Sequence, residues 1–183
     1  MSIDANQFKA AMRCLAGHVC LITTLSADGS RAGLTATAVC SVSADPPTLL
    51  ACVNRNSASF HAIQASGIFA VNVLALESRR LADRFASPMP AEEKFGDGVW
   101  GRASTGAPVL CDALVSFDCR VASAVDVGTH GILFGAIDTA TPRADRARPL
   151  LYAHGSYGEF SSTDAAAARE LLWIPTWDPE PAG

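Results

Sequence analysis

Between Leu34 and Ser59 the chain reads LTATAVCSVSADPPTLLACVNRNSAS, and these residue types suit a flat ligand that carries an anion. Thr35, Ala36, Thr37, Ala38 and Val39 alternate small with hydroxylated side chains, so the backbone can come close to a planar ring while hydroxyls reach its edge. Close packing of a neighbouring element on a strand would select the same small residues. Further along, Cys52-Val53-Asn54 leads into Asn56-Ser57-Ala58-Ser59, hydroxyls and free amides at a helix start. The partial positive charge there favours an anion such as a phosphate. Plain helix capping accounts for the same residues.

The elements that would position these groups follow from punctuation and period. Asp4 caps a helix whose apolar positions Phe8, Ala11, Met12 and Leu15 share one packed face, and Gly17 stops it. His18 to Leu25 and a run from Arg31, joined by Ala27-Asp28-Gly29, form a hairpin whose second strand ends at Asp45-Pro46-Pro47. Thr48 to Val53 begins a new strand, because proline cannot donate to a ladder. A helix follows from the Ser57 turn to Ser66-Gly67, then the strand Ile68 to Leu74 and a short helix over Glu77 to Phe85. Ala86 to Pro108, rich in Gly, Pro and Ser, is expected as a long functional loop. Strands over Ala113 to Val127, Ile132 to Ala140 and Leu150 to Tyr152 complete the set, with Gly128-Thr129-His130-Gly131 as the first connection.

Many strands, few short helices and no repeated βαβ order predict a mainly β antiparallel barrel rather than a parallel sheet. The 183 residues are expected to form a single domain with its core over about 8–160. An alanine-rich helical stretch, Asp164 to Trp173, and a proline-rich tail occupy the remainder, 161–183.

Composition excludes several classes. With 17% charged residues, a net charge of -4 and no basic patch, nucleic acid is not an expected partner. The first residues lack a basic start with an apolar run behind it, and no stretch is apolar enough to span a bilayer, so no membrane association and a cytoplasmic location are expected. Cys14, Cys20, Cys40, Cys52, Cys111 and Cys119 form no CxxC and sit mostly in apolar runs, as reduced, buried structural thiols would. The four histidines are not spaced with them as metal ligands. No GxGxxG, P-loop or GxSxG is present.

Five blocks in order carry a resemblance: MRCLAGHVCLITT from Met12, the long segment from Leu34, FAVNVLALES from Phe69, the block Leu81 to Phe95, and VGTHGILFGAI from Val127. From about Phe8 to Phe160 the chain resembles the NAD(P)H:flavin reductase family. That resemblance implies an FMN-binding split β-barrel that reduces free FMN or FAD with NADH or NADPH and supplies a partner monooxygenase, as a homodimer. For the flavin it implies Thr35 to Val39, Ser41, Cys52, Val53, Asn54, Ser57, Ala58, Ser59, Arg84, Phe85, Lys94 and Phe95. For the nicotinamide nucleotide it implies His130, Tyr157 and Gly158. Thr129 departs from the family, which most often has Asp there. As bare sequence, Phe85 reads rather as a core residue of an amphipathic helix, and His130 as a solvated turn residue. Hydride transfer between the two cofactors needs no protein acid or base, so no catalytic side chain is expected. A tightly bound FMN electron carrier, a reductase of a corrinoid or metal chelate, and a barrel without ligand are the competing readings.

Overall fold

A computed structural model describes residues 3–161. Helix α1 (Ala5–Met12) is followed by β1 (Gly17–His18), β2 (Cys20–Leu25), β3 (Arg31–Ala36), β4 (Val39–Ala44) and β5 (Pro47–Asn54). Next come α2 (Ala58–Ser66), β6 (Ile68–Val73), a 3-10 turn (Leu76–Ser78), α3 (Arg79–Ala86), α4 (Ala91–Lys94), β7 (Trp100–Arg102) and β8 (Pro108–Leu110). The long hairpin β9 (Val115–Val127) and β10 (His130–Pro142) precedes β11 (Leu150–Ala153) and β12 (Ser156–Glu159). The expected C-terminal helix, 164–173, lies outside the described residues.

The main sheet has seven antiparallel strands in the order β3-β2-β6-β9-β10-β5-β4. Its two edges, β3 and β4, are separated in sequence only by Thr37 and Ala38, so the chain steps from one edge to the other and closes the sheet on itself. The expectation of one strand from Arg31 to Asp45 is therefore corrected. Small residues on either side of the step allow the change of partner, and nothing in their alternation marks it. Pro47 is already the first residue of β5, a position where its missing N–H costs no ladder bond.

Two cores share β2. Cys20 and Ile22 point into the barrel with Leu49, Ala51, Val53, Phe60, Ile63, Phe69, Val71 and Leu133. Val19 and Leu21 point the other way, onto Leu74, Leu81, Phe85, Phe95, Leu110 and Leu150. A strand buried on both faces reads as a continuous apolar run, as this one does. Phe60 of α2 plugs the barrel where Gly131 leaves room: a Cβ there would lie 2.3 Å from its ring. Buried Asn72 accepts from the Leu110 amide and the Ser116 hydroxyl while donating to the Leu21 carbonyl and the Thr23 hydroxyl, which secures β8.

Several boundaries differ from expectation. Helix α1 ends at Met12 with Arg13 as its cap, before Gly17, and none of its residues is buried. Ile3, Phe8, Met12 and Leu15 stay exposed, so the packed face expected of this helix is absent among the described residues. The stretch Ala86 to Pro108 holds α4 and the β7–β8 pair rather than a structureless loop. His130 opens β10 instead of lying in the turn. Among the described residues no helix is long and apolar enough to cross a membrane.

Candidate functional site

The step between sheet edges builds a groove. Thr35, Ala36 and Thr37 line a cavity of about 220 Å³ together with Val19, Ala86, Tyr152 and Tyr157. Ligand pockets usually span ~300–1,000 Å³, so this one is open and needs a cover to enclose a ring system. Ala36 also packs on the barrel core, and Thr37 lies against Gly17, whose added Cβ would come within 3.3 Å of the Thr37 Cβ. Thr35 differs from expectation: its hydroxyl donates to the Ala82 carbonyl at 2.7 Å and so fastens β3 to α3. The hydroxyl of exposed Thr37 has no such partner among the described residues and is available to a ligand edge.

Beyond the step, the Cys52 amide donates to the Ala38 carbonyl at 2.9 Å, and Val39 pairs with Ala51 and Ser41 with Leu49. Strand β5 then delivers Asn54 to the turn before α2. Ser57 caps this helix, accepting from the Phe60 amide at 3.1 Å, and its hydroxyl donates to the Asn54 carbonyl at 2.7 Å. Ser59 behaves differently. It is only 7% exposed, and its hydroxyl has no hydrogen-bond partner among the described residues. With no buried side-chain polar atom left unpaired among the described residues, that hydroxyl must reach the surface, where it is open to an anion at the start of α2.

The block after α3 turns mostly inward. Phe85 and Phe95 are 1% and 3% exposed, with ring centres 4.9 Å apart, and Trp100 closes the cluster. Gly33 makes room for Phe85, since a Cβ there would lie 2.8 Å from the ring. Arg84 donates to the Glu93 carbonyl at 3.0 Å, and Lys94 to the Phe85 carbonyl at 3.2 Å. Burial holds the Lys94 ammonium below its ordinary range. Phe85 and Phe95 thus pack on each other, Lys94 and Arg84 bond to backbone carbonyls of the same segment, and Ala86 is the member of the segment that lines the groove.

Of the three residues expected near a nicotinamide, Tyr157 and Gly158 lie on β12 and His130 on a strand of another sheet. Tyr157 lines the groove beside Tyr152, ring centres 5.3 Å apart, with the Arg79 guanidinium 5.2 Å from its ring. Burial, then the hydrogen bond and charge of Asp83, push the Tyr157 phenol up to about 12. Gly158, next to it on β12, is exposed opposite Leu151. His130 instead pairs with Asn54 across β10 and β5, its Nδ1 2.9 Å from the Thr129 hydroxyl. The Arg55 amide donates to the Thr129 carbonyl at 3.0 Å, lacing the His130 turn to the Ser57 turn.

Sequence reasoning missed Tyr152, Val19 and Ala86 as groove residues; only the apolar run ending at Tyr152 hinted at the first. The cysteines also depart from expectation. Cys20 and Cys119 are buried, but Cys14, Cys40 and Cys111 are exposed. Among the described residues no cluster of His, Cys, Asp or Glu could hold a metal ion. The groove offers small side chains, a free hydroxyl and two tyrosines, a setting for stacking and orientation rather than for proton transfer.

Residues 12–161 match the flavin reductase like domain family. The chain is 46% identical over 156 residues to the FMN reductase (NADH) RutF 2 of Methylorubrum extorquens, covering 85% of this chain and 90% of that protein. Its fold matches nitrilotriacetate monooxygenase component B of Mycobacterium thermoresistibile with a TM-score of 0.81 at 29% identity, covering 96% of this chain and 93% of the other. It also matches the NADH:FAD oxidoreductase SgcE6 of Streptomyces globisporus, solved with NAD and FAD fragments, with a TM-score of 0.80 at 25% identity over 90% and 99% of the two chains.

Proposed function

Since the chain belongs to the flavin reductase like domain family, we propose that it is an NADH-dependent FMN reductase whose reduced product leaves to serve a partner monooxygenase. The observation that carries the reading is the groove at the sheet step, whose lining Ala36 and Thr37 share with Tyr152 and Tyr157. Small and aromatic residues lining one groove suit a flat tricyclic ring with a second ring stacked on it. The nicotinamide gives up a hydride and the flavin accepts it. This chain's own residues hold the two rings together and exclude water, and no acid or base is required.

FMN is favoured over FAD, and NADH over NADPH, by the relative from Methylorubrum extorquens, whose name specifies both. Ser59, and Ser57 beside it, would receive the phosphate; Tyr157 and Gly158 would border the nicotinamide, and His130 the rest of the dinucleotide. The likeness to a monooxygenase component B supports an oxygenase as the recipient. An open groove and an uncovered α1 support a homodimer in which the second copy completes the site.

Absorbance of NADH with no flavin, with FMN, with FAD and with riboflavin tests the reading. The expected result is oxidation that requires added flavin and is fastest with FMN. NADH oxidation independent of added flavin, or none with any of the three, would overturn it.

A further inference from the structure

Asp126 and Arg55 face each other on the rim beside the Ser57 turn. The Arg55 Nη2 lies 3.0 Å from the Asp126 Oδ2, and both side chains are about half exposed, at 44% and 47%. The Arg55 backbone is fixed independently, through its amide to the Thr129 carbonyl and through the Asn54–Ser57 turn. Only the guanidinium can therefore change partner. Arg55 stands two residues before Ser57, the cap of α2, and four before Ser59, whose surface-reaching hydroxyl has no partner among the described residues. An anion at that hydroxyl would find this guanidinium already neutralised.

We propose that Asp126 is a specificity-determining residue that holds down affinity for phosphorylated flavin by occupying Arg55, so that the flavin is released after reduction. The inference rests on the proposed phosphate position at Ser57 and Ser59. A reductase that hands its product to another protein needs weak retention of the flavin, and a carboxylate competing for a cation of the same turn supplies it without altering the ring site. Exposed ion pairs are weak, so the guanidinium exchanges between carboxylate and phosphate at little cost. Asp126 also adds a like charge near the phosphate, which acts in the same direction.

Dissociation constants for oxidised FMN and for riboflavin, measured by fluorescence on wild type, Asp126→Asn, Arg55→Gln and the double variant, test this. Asp126→Asn should tighten FMN by about two- to fivefold, the size of an exposed charge pair. Riboflavin, which has no phosphate, should not respond. Arg55→Gln leaves Asp126 uncompensated and should weaken FMN by a similar factor, and the double variant should return near wild type. The differences should shrink in high salt. Unchanged FMN binding in Asp126→Asn, or equal changes for FMN and riboflavin, would overturn the inference. Equal binding of the two flavins by wild type would instead sink the phosphate position itself, and that arm reads it separately.

Discussion

The amide of Cys52 donates to the carbonyl of Ala38 at 2.9 Å, only two residues after Ala36 has paired with Cys20 on the opposite edge of the sheet. A chain that changes partner so quickly must carry small side chains at the step, and the groove that results is as narrow as they allow. Ala36→Leu, which extends a half-buried side chain into a cavity of about 220 Å³, should weaken flavin binding at least tenfold. Thermal melting should move by a few degrees at most if the extra methylenes enter the groove and not the core. Titration of FMN fluorescence checks it, and unchanged affinity would place the ring elsewhere.

Ser57 and Ser59 should separate in their effects. Ser57→Ala removes a hydroxyl that caps α2 and also donates to Asn54, so denaturant unfolding should show a loss of about 1 kcal/mol. Ser59→Ala removes no bond within the described chain, and should leave stability nearly unchanged while weakening FMN more than riboflavin. Equal loss for both flavins would reduce Ser59 to a packing residue.

Burial pushes the thiols of Cys20 and Cys119 up to about 12, from an ordinary value of 9.0. In each case the native state keeps its proton where the unfolded chain has lost it. Their contribution to stability is complete below pH 9.0 and declines as pH rises from there toward about 12. Denaturant midpoints between neutral pH and pH 10 should therefore fall. Over the same range in native protein, a thiol reagent should label Cys14, Cys40 and Cys111 quickly and leave Cys20 and Cys119 untouched. Rapid native labelling of Cys20 would contradict its burial.

Phe8 and Met12 remain 53% and 47% exposed on a helix none of whose residues is buried among the described residues. If a second copy covers them, Phe8→Glu combined with Met12→Glu should shift the light-scattering mass from twice the chain to the single chain. The melting temperature of each folded chain should change little. A wild-type monomer at micromolar concentration would remove the interface altogether.

Periodicity and turn chemistry made most strands legible, because β2, β5 and β6 are bounded by glycine, proline or capping residues that have few other uses. The step at Thr37–Ala38 was not legible: changing partners in a sheet leaves no mark on side chains that are already small. Phe85 and Phe95 show the reverse difficulty. The resemblance assigns their rings to the ligand while the bare sequence assigns Phe85 to the core, and Gly33 decides for the core by admitting the Phe85 ring at a distance no Cβ would tolerate. The Arg55–Asp126 pair joins residues far apart in sequence, one just past the end of β5 and one on β9, whose register only the folded sheet fixes.

His130 stands on the exposed rim opposite Asn54, with the Thr129 hydroxyl at 2.9 Å from its Nδ1. Its side chain supports no core residue, so His130→Ala should leave stability within about 0.5 kcal/mol. If the imidazole meets the incoming dinucleotide, the same variant should raise KM for NADH several-fold while flavin affinity stays near wild type. Tyr157→Phe supplies the contrast, because Tyr157 lines the groove some distance along the fold and should affect the hydride-transfer rate more than NADH affinity. Stopped-flow reduction of bound flavin across NADH concentrations reads both constants. An unchanged concentration dependence in His130→Ala, with Tyr157→Phe altering it, would move the dinucleotide from the rim to the groove wall.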